Sequence, residues 1–556
     1  MNIDALPLLV RDTKRFHEVA STLAKYGMAP WMRSVRADWV QKLFLDREGE
    51  HIADLSQPAR LREALTELGT TFIKLGQILS TRPDLLGSEW TEELAKLQSS
   101  APADPPESVR QTIEAELGAS PESLFAEFDD RPFASASIGQ VHLARLREGP
   151  YVVVKVQHPG IEGRIRSDRE ILKQLARLAE RYAPHLAQYR PLATAEELSR
   201  ILLGELDFSR ERRNLETFTR NFAGRDDVRI PRPYAELSSH RVLTMDRLEG
   251  LTVKDTEQLV RAGYDLSDIA RRGANMYLDM VFRDGFYHAD PHPGNLLVLP
   301  GGAIGLLDCG MVGRIDQPLR EQFEELLLAA VAQDSRRLAD LAIRLGTPPP
   351  DLNEDGLRAE IDEFLAEVFG QTLAEFDLSG ALNRVISIIR RYGIILPSRV
   401  SLLLKVFIML EGTARHLRPD FSLAALLQPY QAQIVRQRLS PQRLRRRIRH
   451  AYQDWSRLLD ILPSDLADIL RQIKRGRFDV HLEHRRLEST ANRLVMGLLT
   501  AALFIGSAQL WSREVPPLVH GVSLPGAAGC AVAVGLGFRL LRAIKRSGDI
   551  VERDSP

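Results

Sequence analysis

A chain of 556 residues is too long for one hydrophobic core and should divide into two to four units. Its 74 Lys and Arg are balanced by 74 Asp and Glu, which removes any whole-chain case for nucleic-acid binding and leaves local charge to be read run by run. The two cysteines, Cys309 and Cys530, are far apart, so a disulfide framework or a cysteine metal site is excluded and a reducing compartment fits best.

The N-terminal stretch Met1 to Val10 is partly apolar, but Asp4 interrupts it and neither a basic leader nor a small-residue cleavage site accompanies it, so no secretory signal is read. From Leu61 to Leu79 the apolar residues Leu61, Leu65, Leu68, Phe72, Leu75 and Leu79 recur at three- and four-residue steps, which predicts one amphipathic helix carrying Lys74-Leu75-Gly76-Gln77. Ser99 to Pro106, with Pro102, Pro105 and Pro106, breaks helical structure and sets a boundary near residue 105. Phe133 to Arg145 reads as a small-residue loop followed by a strand. Tyr151 to Val156 is a β-branched strand, reached through a turn at Glu148-Gly149-Pro150. Ser167 to Glu180 and Glu196 to Phe218 are helical by period, and Arg241 to Asp246 is a short strand of the kind that forms an adenine-contacting hinge. Asn295 to Val298 and Ile304 to Leu307 form a strand pair turned at Pro300-Gly301-Gly302. From Leu319 to Ile473 the pattern is almost wholly helical, and the dense basic stretch Arg436 to Arg449 reads either as a solvated helix face or as a surface for anionic lipid headgroups. At the C-terminus two uncharged runs, Leu494 to Trp511 and Val515 to Phe538, read as a membrane hairpin; basic residues flank its outer ends, so the positive-inside rule puts the long N-terminal part and the tail in the cytoplasm.

The chemistry concentrates in His288-Ala289-Asp290-Pro291-His292-Pro293-Gly294-Asn295 and in Asp308-Cys309-Gly310. Phosphoryl transfer depends on positioning and charge neutralisation. It needs an Asp facing the acceptor, an Asn and a second Asp for Mg²⁺, and a cation for the nucleotide phosphates. Asp290, Asn295 and Asp308 have that spacing, and Lys155 at the end of Tyr151-Val152-Val153-Val154-Lys155 supplies the cation. Of the acids in the following helix, Glu211 is assigned to Lys155, while Glu205 and Asp207 remain for another cation. Two alternatives stand beside this reading: capped turns that merely favour Asp and Asn, and a hydrolytic metal site at His288, Asp290 and His292, against which Pro291 and Pro293 argue. The glycine-rich phosphate loop of protein kinases is missing. Ala134-Ser135-Ala136-Ser137-Ile138-Gly139-Gln140 stands in its place, and its Cβ atoms restrict positive φ and close backbone approach.

The ordered set Lys74-x-Gly76-Gln77, the alanine-containing loop, Glu205-x-Asp207, the Asp290 motif and Asp308-Cys309-Gly310 closely resembles the ABC1/UbiB family of atypical kinase-like proteins, also called AarF or ADCK. The resemblance covers about residues 60 to 320, and the terminal hairpin matches bacterial members. It implies an α+β, two-lobed protein-kinase-like fold with a mostly helical large lobe, an N-terminal helical extension and a C-terminal transmembrane hairpin. The implied segments are 1–105 for the extension, 106–250 for the small lobe, 251–484 for the large lobe and 485–556 for the hairpin and tail. Under the resemblance Asp290 and Lys155 are catalytic, and residues 134–140 with Lys155 and Glu211 hold ATP or ADP. Asn295 and Asp308 bind Mg²⁺, and Lys74, Gly76, Gln77, Glu205 and Asp207 are regulatory groups over the cleft. The implied role is an inner-membrane ATPase in isoprenoid quinone (ubiquinone or plastoquinone) biosynthesis, with lipid, polyprenyl quinone intermediates and the pathway's enzymes as partners and no nucleic acid. A protein or small-molecule phosphotransferase is the alternative, and a nucleotide-binding scaffold without turnover is the third. The chain departs from the family's usual loop at Ser135 and from protein kinases at Cys309, which stands where they carry Phe.

Overall fold

The computed structural model describes residues 13–27, 55–97, 102–183, 189–369, 377–427, 487–513, 515–519 and 522–546. The basic stretch Arg436 to Arg449 and the end of the long helical region lie outside them. The chain separates into two compact units, Met1–Ser440 and Pro441–Pro556.

The first unit begins with helix α1 (Thr13–Lys25), and then α2 (Gln57–Leu68) and α3 (Thr70–Leu79) stand where one helix was predicted. The break is Gly69, whose φ of 86° is open to glycine and strained for other residues, and its N–H caps the carbonyl of Thr66. The apolar period survives the break: Leu65, Leu68, Phe72 and Leu75 are all buried in the main core. Lys74 is carried on α3.

Arg82, just after α3, is nearly fully buried. It is paired with Asp84 at 2.8 Å and Glu197 at 3.3 Å, and it donates to Ser398 Oγ at 3.0 Å and the Leu396 carbonyl at 3.2 Å. One side chain thus ties the N-terminal helices to segments more than a hundred residues away.

After α4 (Pro106–Leu117), strands β1 (Phe125–Phe128), β2 (Ala134–Ser135), β3 (Gly139–Leu146), β4 (Tyr151–Gln157) and, later, the strand Val242–Asp246 form one antiparallel sheet. Strand β4 is central, with Lys155 opposite Val141 on one side and Leu243 on the other. Its period of two sends Val152, Val154 and Val156 into a core with Val109, Ile113 and Phe125, and leaves Val153 and Lys155 on the opposite face. That alternation aims the lysine.

Helices α5 (Ile161–Tyr182), α6 (Pro191–Glu205) and α7 (Phe208–Asn221) follow. A single helix was predicted over Glu196 to Phe218, but Asp207 ends it by capping α7, its carboxylate accepting from the Ser209 N–H at 3.0 Å. A second sheet orders Val228–Arg229, Ile304–Leu306, Leu296–Val298 and Leu251–Thr252, in which Leu296–Val298 and Ile304–Leu306 form the predicted antiparallel pair. Helix α8 (Leu266–Leu278) runs into a π-helical turn, Asp279–Asp284, that ends at Gly285 (φ 62°) and releases the strand Phe286–His288, which pairs with Val312–Arg314. Five helices over Gln317–Val331, Ser335–Leu345, Glu354–Phe369, Leu378–Arg391 and Ser398–Leu417 complete the unit. The last passes beneath the Asp290 loop, where Thr413 Oγ1 donates to the Pro291 carbonyl at 2.9 Å.

In the second unit, helices Leu487–Ser512 and Leu524–Arg546 pack antiparallel around small residues, with Gly526 against Trp511 and Gly497 against Leu540. The first contains an apolar stretch, Val495–Ser512, long and apolar enough by length and composition to cross a membrane. The second apolar run does not become one helix from Val515. Pro516 and Pro517 lack N–H donors, a two-residue strand pair (Leu518–Val519 with Val522–Ser523) forms there, and the apolar helical part is Leu524–Leu540. The side chains of Leu498, Ile505 and Phe538 are exposed within this unit.

The Arg82 contacts generate a stability test. Arg82→Met strands the buried Asp84 carboxylate and should cost about 3–5 kcal/mol in urea unfolding of the first unit, most of which Arg82→Met with Asp84→Leu should recover. Equal losses in the single and double variants would assign the effect to packing and not to a stranded charge.

Candidate active site

A cavity of about 430 Å³ lies between the face of the first sheet that carries Lys155, helices α3, α6 and α7, and the Asp308 turn. This volume falls in the ordinary range for a small-molecule site. Val141, Val153, Met245, Leu297 and Leu307 supply apolar wall, and the segment Asp246-Arg247-Leu248 closes one edge. Charged side chains, among them Lys74, Lys155, Glu205, Glu211 and Asp308, line another part of the wall.

Lys155 is the centre of the charges. Its Nζ is 2.8 Å from Glu211 Oε2 and 3.8 Å from Asp308 Oδ1. Burial alone would lower its pKa, but Asp308 and Glu211 together outweigh burial and raise it, so the ammonium stays charged. For Asp308 the Lys155 charge dominates over the opposing effect of burial and holds the carboxyl well below the usual range. Asp308 lies deep in the protein, yet more than half of its side-chain surface opens onto the cavity. For Glu211 burial dominates over the pull of Lys155, and its pKa is raised. Asp308 has φ 47°, a left-handed conformation that Asp tolerates better than most residues.

Helix α7 orders both ends of this cluster. Glu211 lies in its first turn, and Asn214, one turn on, donates from Nδ2 to the Cys309 carbonyl at 3.0 Å, clamping the turn that presents Asp308. His288 performs the matching task for the other loop. Its Nε2 faces the Asp308 carbonyl at 2.7 Å, an oxygen that only accepts, so Nε2 carries the hydrogen. Its Nδ1 then accepts from the Asp290 N–H at 3.3 Å. Asn295 Nδ2 donates to the Asp290 backbone oxygen at 3.1 Å and to its Oδ2 at 2.9 Å, fixing the carboxylate and leaving Asn295 Oδ1 to accept or ligate. With His288 committed to the two loops and His292 Nδ1 accepting from the Gly294 N–H, the three residues of the alternative hydrolytic site do not converge; among the described residues no group of three metal-binding side chains does.

Lys74 reaches the cavity from α3 and pairs with Glu205 Oε2 at 2.6 Å. Burial opposes its charge, and Glu205 with Asp308 overcomes it and raises its pKa. Asp207 is not its partner: that carboxylate caps Ser209 and meets His240 and Arg213. Gln77 Nε2 donates to the Leu97 carbonyl at 3.0 Å, and Gly76 is packed so closely that a Cβ would collide with Leu65 and Leu97. Both therefore seat α3. In the loop expected to hold nucleotide, Ala134, Ala136, Ser137, Ile138 and Gly139 line the cavity. Ser135 and Gln140 turn away, Ser135 toward the Pro102 carbonyl and the fully buried Gln140 toward Asp104 and His142. Gly139 has a steric reason: a Cβ there would strike the Val156 carbonyl of β4.

Glu205 Oε1 and Glu211 Oε1 are buried and have no hydrogen-bond partner among the described residues. Two unsatisfied carboxylate oxygens beside a lysine and an open Asp308 fit a ligand that brings both cations and phosphate oxygens, as a magnesium nucleotide does.

Several participants were not singled out from the sequence. Asn214 is an ordinary helix residue until the fold brings it to Cys309. Lys405, on helix Ser398–Leu417, has its pKa lowered by burial against the pull of Asp290, with Lys74 adding repulsion. Only a search for lone lysines in apolar helical stretches could have flagged it.

The ABC1 atypical kinase-like domain model matches residues 96–342, the UbiB helical domain 361–422 and the ABC1/UbiB kinase-like C-terminal domain 481–546. A protein of Aeromonas salmonicida named probable protein kinase UbiB is 33% identical over 537 residues, covering 94% of this chain and 97% of its own length. A Pseudomonas aeruginosa protein of the same name is 38% identical over 397 residues, or 71% and 74% of the two chains. A solved Mycobacterium tuberculosis structure, Rv3197 with erythromycin, is 24% identical with a TM-score of 0.46, covering 64% of this chain and 90% of that one. The chain belongs to the ABC1/UbiB family of atypical kinase-like proteins.

Proposed function

We propose that this protein is a membrane-associated, kinase-like ATPase that supports isoprenoid quinone biosynthesis, ubiquinone being the quinone named by its relatives' UbiB designation. The observation that carries the reading is the Lys155 cluster: a buried lysine held by Glu211 and 3.8 Å from Asp308, on the wall of a cavity of about 430 Å³. Residues 106–250 act as the small lobe and 251–484 as the large lobe of a two-lobed kinase-like fold, and 1–105 as the helical extension over the cleft.

ATP or ADP with Mg²⁺ would supply the phosphoryl group and neutralise its charge. Lys155 is the contact for the α- and β-phosphates, and Asn295 Oδ1 and Asp308 are the metal ligands. The apolar wall at Val153, Met245 and Leu297 suits the base. Asp290, oriented by Asn295, faces the acceptor. Lys74 on Glu205 narrows the space for a bulky acceptor, which favours water or a small group.

Residues 485–556 act as a hairpin in the inner membrane, with Val495–Ser512 as the first span and the flanking arginines on the cytoplasmic side. That arrangement suits polyprenyl intermediates and the enzymes that handle them as partners. A second reading, transfer to a protein or small-molecule acceptor, is favoured by the relatives' printed name of protein kinase. Labelled ATP separates the two: phosphate release without a labelled acceptor supports the first, and a labelled acceptor the second.

Three outcomes follow from these assignments. MgATP at about one hundred times its dissociation constant should stabilise the native chain by about 2.7 kcal/mol, and Asp308→Asn should lose that gain. An equal gain in the variant would remove Asp308 from the site. Lys74→Ala frees Glu205 for another cation and should change the rate or product of ATP turnover; identical kinetics would place Lys74 outside the chemistry. Lys155→Met should cost about 3–5 kcal/mol near neutral pH by stranding Glu211. Glu211 has a raised folded pKa, so its penalty is absent below its unfolded value and complete above its folded one. Asp308 has a lowered pKa, and its contribution is present above the unfolded value and lost in acid. Both signs make the variant's deficit largest near neutrality and smaller in acid, which urea unfolding across pH reads directly. A deficit that does not vary with pH would contradict the charge assignment.

A further inference from the structure

Behind the loop that lines the cavity, the contacts of Ser135 and Gln140 continue into a chain of polar contacts that reaches His158. Residues 102–104 run along the loop's rear: Ser135 Oγ donates to the Pro102 carbonyl at 3.5 Å, and the Asp104 N–H donates to Gln140 Oε1 at 2.7 Å. Asp104 Oδ2 lies 2.6 Å from His158 Nδ1, and His158 Nε2 lies 2.8 Å from the Ala136 carbonyl. The His158 backbone N–H donates to the Ile138 carbonyl at 2.9 Å. His158 is buried, one residue beyond the strand that bears Lys155.

One ring nitrogen faces the Asp104 carboxylate and the other the Ala136 carbonyl, so the ring bridges the segment ahead of Pro106 to the back of the loop. His142, two residues beyond Gln140, is a second ring in this chain of contacts. Burial lowers its pKa, one nitrogen meets Gln140 Nε2 at 2.8 Å, and the other meets the Asp129 carbonyl at 2.8 Å, as a neutral ring can.

We propose that His158, held by Asp104, is a positioning residue for the polyphosphate of the bound nucleotide. It binds the Ala136 and Ile138 carbonyls at the rear of the loop, where their lone pairs cannot face an anion. A loop of alanines and serines needs this anchoring more than a glycine loop does, because its Cβ atoms limit the backbone conformations that could present N–H groups. The same contacts make the segment ahead of Pro106 a strap on the phosphate loop.

This inference rests on the nucleotide reading of the site, and its test separates the two. Full-length chain in detergent is titrated with MgATP and with adenosine by calorimetry, and thermal melting checks each variant's fold. His158→Ala should weaken MgATP by about tenfold, the loss expected when a buried hydrogen-bonding side chain is removed, and leave adenosine affinity unchanged. His158→Gln keeps a donor for the Ala136 carbonyl and should recover part of the loss. Asp104→Asn, which keeps the backbone bond to Gln140, should weaken MgATP in the same selective way, and it is the deciding variant if His158→Ala does not fold. Equal losses for MgATP and adenosine, no loss, or a Gln variant no better than Ala would overturn the inference alone. A native chain that binds neither ligand would overturn the nucleotide reading and this inference with it.

Discussion

The site depends on keeping one ammonium charged inside the protein. Lys155 would lose its charge to burial if Glu211 and Asp308 did not face it, and each of those carboxylates would be costly to bury without the lysine. The surrounding architecture serves this mutual dependence. Alternation along β4 turns Lys155 from the valine core, the first turn of α7 delivers Glu211, and Asn214 one turn later holds the loop that presents Asp308. A helix that slid or rotated would separate all three charges at once.

The loops around the cluster are set by hydrogen bonds from a few polar side chains. His288 joins the Asp290 and Asp308 segments through its two ring nitrogens, Asn295 fixes the Asp290 carboxylate, and Thr413 supports Pro291 from a helix more than a hundred residues later. On the other side, α3 brings Lys74 to Glu205, and Arg82 locks the N-terminal helices to the helical region. Among the described residues, Glu205 Oε1 and Glu211 Oε1 remain beside this set without a partner, and a cation-bearing ligand would complete them.

Much of this was legible before folding. The strand at Tyr151 to Val156 and the strand pair after Asn295 follow from period, β-branching and turn residues, which act over a few positions; Glu211 is assigned to Lys155 from the acids of a following helix by the motif pattern alone. Reading failed where one residue overrides a period. Gly69 and Asp207 each break a helix whose apolar spacing continues through the break, because a positive φ and a capped N-terminus act locally on the backbone while the pattern records only which face is buried. The same competition shortened the second C-terminal helix at its prolines.

The amino-acid order by itself determined the family, the acidic spacing, the strand lysine and the apolar C-terminal segment, all carried by residue type and separation along the chain. Only the tertiary structure decided which partners those groups take: Lys74 chooses Glu205 over Asp207, Gln77 seats a helix, and Gln140 turns from the cavity into a buried network with Asp104 and His142. The physical reason is that charge compensation and hydrogen bonding operate over about 3 Å in space, and residues far apart in sequence, such as Asp104 and His158, acquire that proximity when packing brings their segments together.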